Sequence, residues 1–65
     1  MKGMLKVGAE AKARWIIHGA GGAVFVGDKG SIVAKSAGGR YQVDFGAGKL
    51  YWVWDADLVS KGEDW

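Results

Sequence analysis

The chain has 65 residues, which is enough for one domain but leaves little room for a large hydrophobic core. It has no cysteine, which excludes disulfide bonds and thiolate metal sites. Its formal net charge of +2 does not identify a nucleic-acid-binding protein unless the basic side chains gather on one face. Four tryptophans, two tyrosines and two phenylalanines are therefore expected to supply much of the buried surface.

No secretion or membrane signal is apparent in the sequence. The segment that follows Lys2 and Lys6 is too polar for the apolar region of a signal peptide. The longest run of apolar residues and glycines, 19–27, is far shorter than the ~20 residues that span a membrane. We therefore expect a cytoplasmic protein that does not contact membranes.

The first half of the chain is predicted to contain an arm, one strand and a long loop. Residues 1–8 are interpreted as an N-terminal arm. Ala11–His18 is predicted to be the first strand, with Trp15 on one face and Ile16 on the other. The glycine-rich segment 19–22 begins a long flexible loop, because glycine has the most backbone freedom to lose on ordering.

The second half is predicted to form a meander of three strands. Apolar and polar residues alternate in Arg40–Phe45, a period typical of a strand with one buried face. A four-residue connection with glycines then leads to the aromatic run Leu50–Trp54, as expected for a hairpin. Ser31–Lys35 supplies the strand that precedes both.

A short helical turn and a last strand are predicted after the meander. Asp55–Asp57 is interpreted as a single helical turn with Asp55 as its cap. Leu58–Ser60 is predicted to be the last strand, and residues 61–65 a C-terminal tail. The sequence thus predicts an all-β fold, a five-stranded SH3-like barrel with a long first loop and one short helical turn before the last strand. Residues 1–65 are expected to form this single domain.

Three segments between residues 27 and 59 carry a family resemblance. They are Gly27-Asp-Lys-Gly-Ser-Ile-Val33, then Tyr41-Gln-Val-Asp-Phe-Gly46, and Trp52 with the later Asp57-Leu-Val59. In these segments the chain resembles the small SH3-like barrels of the KOW and Tudor kind. The resemblance implies a barrel that binds RNA, DNA, protein partners or peptides, and fold alone does not choose among them.

The sequence offers no set of residues for catalysis, metal binding or cofactor binding. His18 is the only histidine and has no nucleophile or carboxylate beside it in the sequence. The glycines of 19–22 are not followed by the helix that a dinucleotide-binding loop requires. Asp55 and Asp57 are expected to be solvated or to cap the helical turn. We therefore predict a non-enzymatic protein with no cofactor and no metal.

The aromatic residues carry the main functional prediction. A small barrel cannot bury both faces of Leu50–Trp54, so large apolar surface is expected to remain exposed. Either Trp52 or Trp54 alternatively belongs to the core. The residues predicted to bind a protein or peptide partner are Trp15, Tyr41, Tyr51 and Trp54.

Two other functions stay open at this point. Basic residues beside aromatic ones suit RNA or DNA, and the predicted nucleic-acid contacts are Lys12, Arg14, Lys29, Lys35 and Arg40. Ordinary solubilising charge is the alternative explanation for these residues. The third possibility is a self-assembling structural or enzyme-subunit barrel that buries Ile16 and the aromatic strand between copies.

Overall fold

The computed structural model describes residues 5–61, which fold as five antiparallel strands in one sheet. The strands are β1 (Glu10–Ala13), β2 (Lys29–Lys35), β3 (Arg40–Asp44), β4 (Leu50–Trp54) and β5 (Leu58–Ser60), with a 3₁₀ turn over Asp55–Asp57. Their order across the sheet is β4-β3-β2-β1-β5, so the last strand pairs with the first. The predicted all-β fold class is confirmed, with five strands, a long first connection and one short helical turn before the last strand. The outer parts of the predicted arm and tail, residues 1–4 and 62–65, lie outside the described residues.

The hydrophobic core lies on the inward face of this sheet. It consists of Leu5, Ala11, Ile32, Tyr41, Val43, Val53 and Leu58, with Ala9, Ile17, Phe45 and Tyr51 packed around it. In β3 the alternation predicted from the sequence places Tyr41 and Val43 inward. Leu5 belongs to the core although it lies in the predicted arm, whereas Val7 is exposed. The core therefore begins earlier in the chain than the arm prediction implied.

Gly30 allows β2 to lie close against β3. A Cβ atom at this position would be 2.6 Å from Val43 Cγ1, 2.8 Å from Phe45 Cδ1 and 3.1 Å from the Asp44 carbonyl oxygen. The residue is buried, and such distances leave no space for a side chain. Glycine at position 30 is thus required by the packing of the sheet.

The first strand is shorter than predicted. β1 ends at Ala13, not at His18, because the chain bends at Arg14 and Trp15. The Arg14 amide donates to the Asp57 carbonyl at 2.9 Å. Its guanidinium donates to the carbonyls of Ala56 at 3.1 Å and Leu58 at 2.9 Å. These bonds join the segment after β1 to the 3₁₀ turn and the start of β5.

The glycine-rich part of the first connection is docked, which corrects the prediction of a flexible loop. The Tyr51 hydroxyl donates to the Gly22 carbonyl at 2.6 Å. A Cβ at Gly19 would overlap the Tyr51 ring, and one at Gly21 would be 2.9 Å from the Gly48 carbonyl oxygen. These glycines are therefore needed so that the loop can approach Tyr51 and the β3–β4 turn.

The β3–β4 turn contains a backbone conformation that alanine rarely adopts. The Lys49 amide donates to the Gly46 carbonyl at 2.9 Å, and Ala47 and Gly48 between them have φ of 53° and 82°. Two central residues with positive φ define a type I′ turn, in which Asn-Gly is favoured. Ala47 is the only non-glycine residue with positive φ among residues 5–61.

We expect Ala47→Asn to stabilise the fold by about 0.5–1 kcal/mol, because asparagine tolerates the left-handed region better than alanine. Chemical denaturation of the wild type and the variant measures the difference. The matched control is Ala37→Asn in the β2–β3 turn, where φ is not positive and the expected change is within about 0.5 kcal/mol. Equal effects at the two positions would contradict the assignment of strain to Ala47.

Candidate interaction surface

The outward face of β4 exposes three large apolar side chains. Leu50, Trp52 and Trp54 are 48%, 46% and 52% exposed, whereas Val53 between the two indoles is buried. The exposed surface that the sequence predicts for this strand is thus on the face of Leu50, Trp52 and Trp54, and Tyr51 and Val53 lie on the other face. We call Leu50, Trp52 and Trp54 the β4 face. The hydrophobic core is formed by side chains on the opposite side of the sheet. Within residues 5–61, no core side chain packs against the β4 face.

A shallow groove lies at one end of the β4 face. It has a volume of about 370 Å³ and is lined by Trp52, Trp54, Arg40, Ser36 and Gly38. Arg40 and Trp54 are direct neighbours across β3 and β4, and the Arg40 guanidinium lies 5.0 Å from the centre of the Trp54 ring. This distance is typical of a cation–π contact. The groove therefore combines two indoles with one ordered positive charge.

Three of the residues predicted to bind a partner, Tyr41, Tyr51 and Trp54, do not form a single surface. Tyr41 is only 8% exposed and belongs to the core. Tyr51 is half-buried, and its hydroxyl is bonded to the first connection. Side chains alternate across a strand, so Tyr51 cannot share a face with Trp54 three residues later. Trp52, which was considered for the core, takes the exposed place instead.

Trp15 lies beside the end of β4 although it is far away in sequence. Its indole Nε1 donates to Asp57 Oδ1 at 2.8 Å, and the Trp54 amide donates to Asp57 Oδ2 at 2.8 Å. The Asp57 carboxylate therefore accepts one hydrogen bond from the Trp15 side chain and one from the Trp54 backbone. Trp15 remains 48% exposed and extends the apolar surface past the 3₁₀ turn.

The predicted nucleic-acid contacts are divided among several places. Lys12 and Lys29 are direct neighbours across β1 and β2. Arg14 bonds backbone carbonyls, as described above, and Lys35 Nζ lies 5.8 Å from the centre of the Tyr41 ring. Of the five predicted residues, Arg40 alone lines the groove beside the indoles.

Sequence reasoning missed a second exposed apolar site. Phe25 and Val26, 58% and 64% exposed, lie at the tip of the first connection. The turn is held by Asp28, whose Oδ2 accepts from the Phe25 amide at 2.9 Å and whose own amide donates to the Phe25 carbonyl at 3.0 Å. An apolar pair followed directly by Gly-Asp is the sequence signal that could have identified this exposed turn.

Within residues 5–61 no cluster of His, Asp or Glu side chains could hold a metal ion. The same part of the chain contains no helix long and apolar enough to span a membrane. His18 is exposed at the start of the glycine-rich segment. What the β4 face can do is make apolar, stacking and cation–π contacts.

Comparison with known proteins finds no family model, no curated protein and no solved structure that matches this chain, so its function is inferred from its own surface.

Proposed function

We propose that this protein is a non-enzymatic interaction module that binds an extended peptide segment of a protein partner on the β4 face. The observation that carries the proposal is the exposure of Leu50, Trp52 and Trp54 together on one strand. Exposed apolar groups of this size beside an arginine are typical of interaction sites, where Trp and Arg are enriched among the residues that dominate affinity.

The dimensions of the site suit an extended chain. Trp52 and Trp54 are two residues apart on one strand, so their side chains emerge about 7 Å from one another. Alternate side chains of an extended peptide have the same spacing and can contact both indoles. The groove of about 370 Å³ accepts an apolar side chain, and Arg40 at its wall can pair with a carboxylate of the peptide.

The charges around the site favour a peptide over a nucleic acid. Asp44 is the direct neighbour of Leu50 across β3 and β4, and Asp55 follows Trp54. Carboxylates thus border both ends of the β4 face and would repel phosphate groups. Arg40 is the one basic residue that lines the groove among the described residues. A phosphate backbone needs several such contacts for useful affinity.

Selection from a peptide library tests this proposal. We expect the enriched peptides to bind the wild type and to lose about tenfold to thirtyfold in affinity with Trp52→Ser or Trp54→Ser, because each removes a contact of hot-spot size. The matched control is Phe25→Ser, which removes an equally exposed aromatic residue outside the groove and should leave affinity unchanged.

Two outcomes would contradict the proposal. In the first, the selected peptides bind both tryptophan variants as tightly as they bind the wild type. In the second, no peptide is enriched, while a single-stranded oligonucleotide binds at low salt and loses affinity steeply as salt is added. The second outcome would favour nucleic-acid binding through stacking on the same indoles.

A further inference from the structure

The outer edge of β4 presents backbone groups that no other strand of the sheet uses. The β3–β4 hairpin begins where the Phe45 amide donates to the Lys49 carbonyl at 2.8 Å. Bonded and non-bonded pairs alternate in an antiparallel ladder, so Tyr51 and Val53 direct their backbone groups toward β3. Leu50 and Trp52 consequently direct their N–H and C=O groups away from the sheet.

This edge lacks the usual devices that prevent strand pairing. β4 is the last strand in the sheet order, and its pairing with β3 is continuous over all five residues, without a bulge. Its sequence, Leu-Tyr-Trp-Val-Trp, contains no proline, lysine or other charged residue. Edges of this kind are templates for a further strand. At one end the Trp54 amide is occupied by Asp57, which leaves the amides of Leu50 and Trp52 for an incoming strand.

The sequence around β4 is complementary to itself when read in the antiparallel direction. With Trp52 opposite its own copy, Leu50 stands opposite Trp54, and Lys49 stands opposite Asp55. Lys49 and Asp55 are the only charged residues of the segment 49–55, so each end of the pairing joins opposite charges and no like charges meet. An unrelated strand would need this arrangement by chance, whereas a second copy always has it.

We propose that β4 pairs edge to edge with β4 of a second copy of this chain, antiparallel, about a two-fold axis at Trp52. The Trp52 N–H of each copy donates to the Trp52 carbonyl of the other copy, as an isologous interface requires. The Leu50 N–H donates to the Trp54 carbonyl of the second copy. The interface does not depend on the peptide-binding proposal, since it uses the backbone edge and not the groove.

One consequence of the pairing is a wider aromatic surface. Residues opposite each other in an antiparallel pair share a face, so the two β4 faces join into one. The Trp52 side chains of the two copies become neighbours, with the Arg40-lined grooves on either side. Strand pairing over five residues buries less surface than a standard stable interface of ~1,600 Å². The dimer is therefore weak, and association has to be measured at high protein concentration.

A charge exchange at the two ends of the strand tests this register. Sedimentation equilibrium of the wild type up to about 1 mM should show a monomer–dimer equilibrium. Lys49→Asp and Asp55→Lys each place like charges at both ends, and each should weaken the dimer about tenfold. An equimolar mixture of the two variants restores both opposite-charge pairs and should form a heterodimer of wild-type strength.

The control variant is Lys6→Asp, which changes the net charge as Lys49→Asp does at an exposed position away from β4 and should leave dimerisation unchanged. Circular dichroism establishes that each variant is folded. A wild type that stays monomeric up to about 1 mM would overturn the proposal. A dimer that persists unchanged in both single variants, or a mixture that associates no better than either variant alone, would also overturn it.

Discussion

Replacing Gly30 by alanine is expected to destabilise the fold by about 2–3 kcal/mol, near the upper end of the range for overpacked cores. The new methyl group would lie 2.6 Å from Val43 Cγ1, and Val43 is fully buried. Valine is stiff at χ1, so it cannot rotate out of the way without its own strain. The methyl group would also lie 3.1 Å from the carbonyl oxygen of Asp44, which is fixed in β3. In a domain of this size each kcal/mol lowers the melting temperature by roughly 4–8 °C.

The matched control for this substitution is Gly38→Ala in the β2–β3 turn. A Cβ at Gly38 would meet only Ser36 Oγ, at 3.8 Å, and its φ is not positive. Thermal and chemical denaturation of the two variants should therefore differ by at least about 1.5 kcal/mol. Comparable stability of Gly30→Ala and Gly38→Ala would show that β2 and β3 are not in close contact at Gly30.

Loss of the Asp57 carboxylate is expected to destabilise the fold by about 1–2 kcal/mol. Its two oxygens accept from the Trp15 indole and from the Trp54 amide, both at 2.8 Å. These two bonds hold the end of β1 and the end of β4 on the same turn. In Asp57→Ala both donors return to water, and the Trp15 side chain loses its only side-chain hydrogen bond in the described structure. Chemical denaturation measures the loss, and near-ultraviolet circular dichroism should report the released indole.

The control for Asp57→Ala is Asp55→Ala, two residues earlier in the same 3₁₀ turn. Sequence reasoning assigned the cap to Asp55, but it is Asp57 that accepts the Trp54 amide. Asp55 is exposed, and its removal is expected to change stability by less than about 0.5 kcal/mol. A larger effect of Asp55→Ala than of Asp57→Ala would restore the original assignment and contradict the structure.

The local patterns in the sequence were sufficient to predict the β3–β4 hairpin. The alternation in Arg40–Phe45 and the four-residue connection determine the β3–β4 hairpin, because side chains in a strand repeat every two residues. Val43 opposite Tyr51 and Tyr41 opposite Val53 follow from that register. The same register carries Leu50, Trp52 and Trp54 to the side opposite the core. The apolar pattern of β3 therefore contained enough information to identify Tyr41 as buried and Trp52 as exposed.

Local sequence patterns did not predict the contacts between residues that are far apart in the chain. Arg14 was predicted as a nucleic-acid contact, yet it bonds the carbonyls of Ala56 and Leu58, more than forty residues away. β1 ends at a bend at Arg14 and Trp15, although the alternation in the sequence continues past Ala13. Gly19 was likewise assigned to a flexible loop, because no residue near it in the sequence indicates that it packs against the Tyr51 ring.

The most direct test of the proposed function is to locate a selected peptide on the sheet by NMR titration of the isotope-labelled protein. The proposal predicts that the indole N–H signals of Trp52 and Trp54 and the backbone amides around Arg40 shift most. Signals from Lys12 and Lys29, and from the tip at Phe25, should stay in place. Largest shifts at the lysine pair or at the tip, with the two indole signals unchanged, would contradict a binding site on the β4 face.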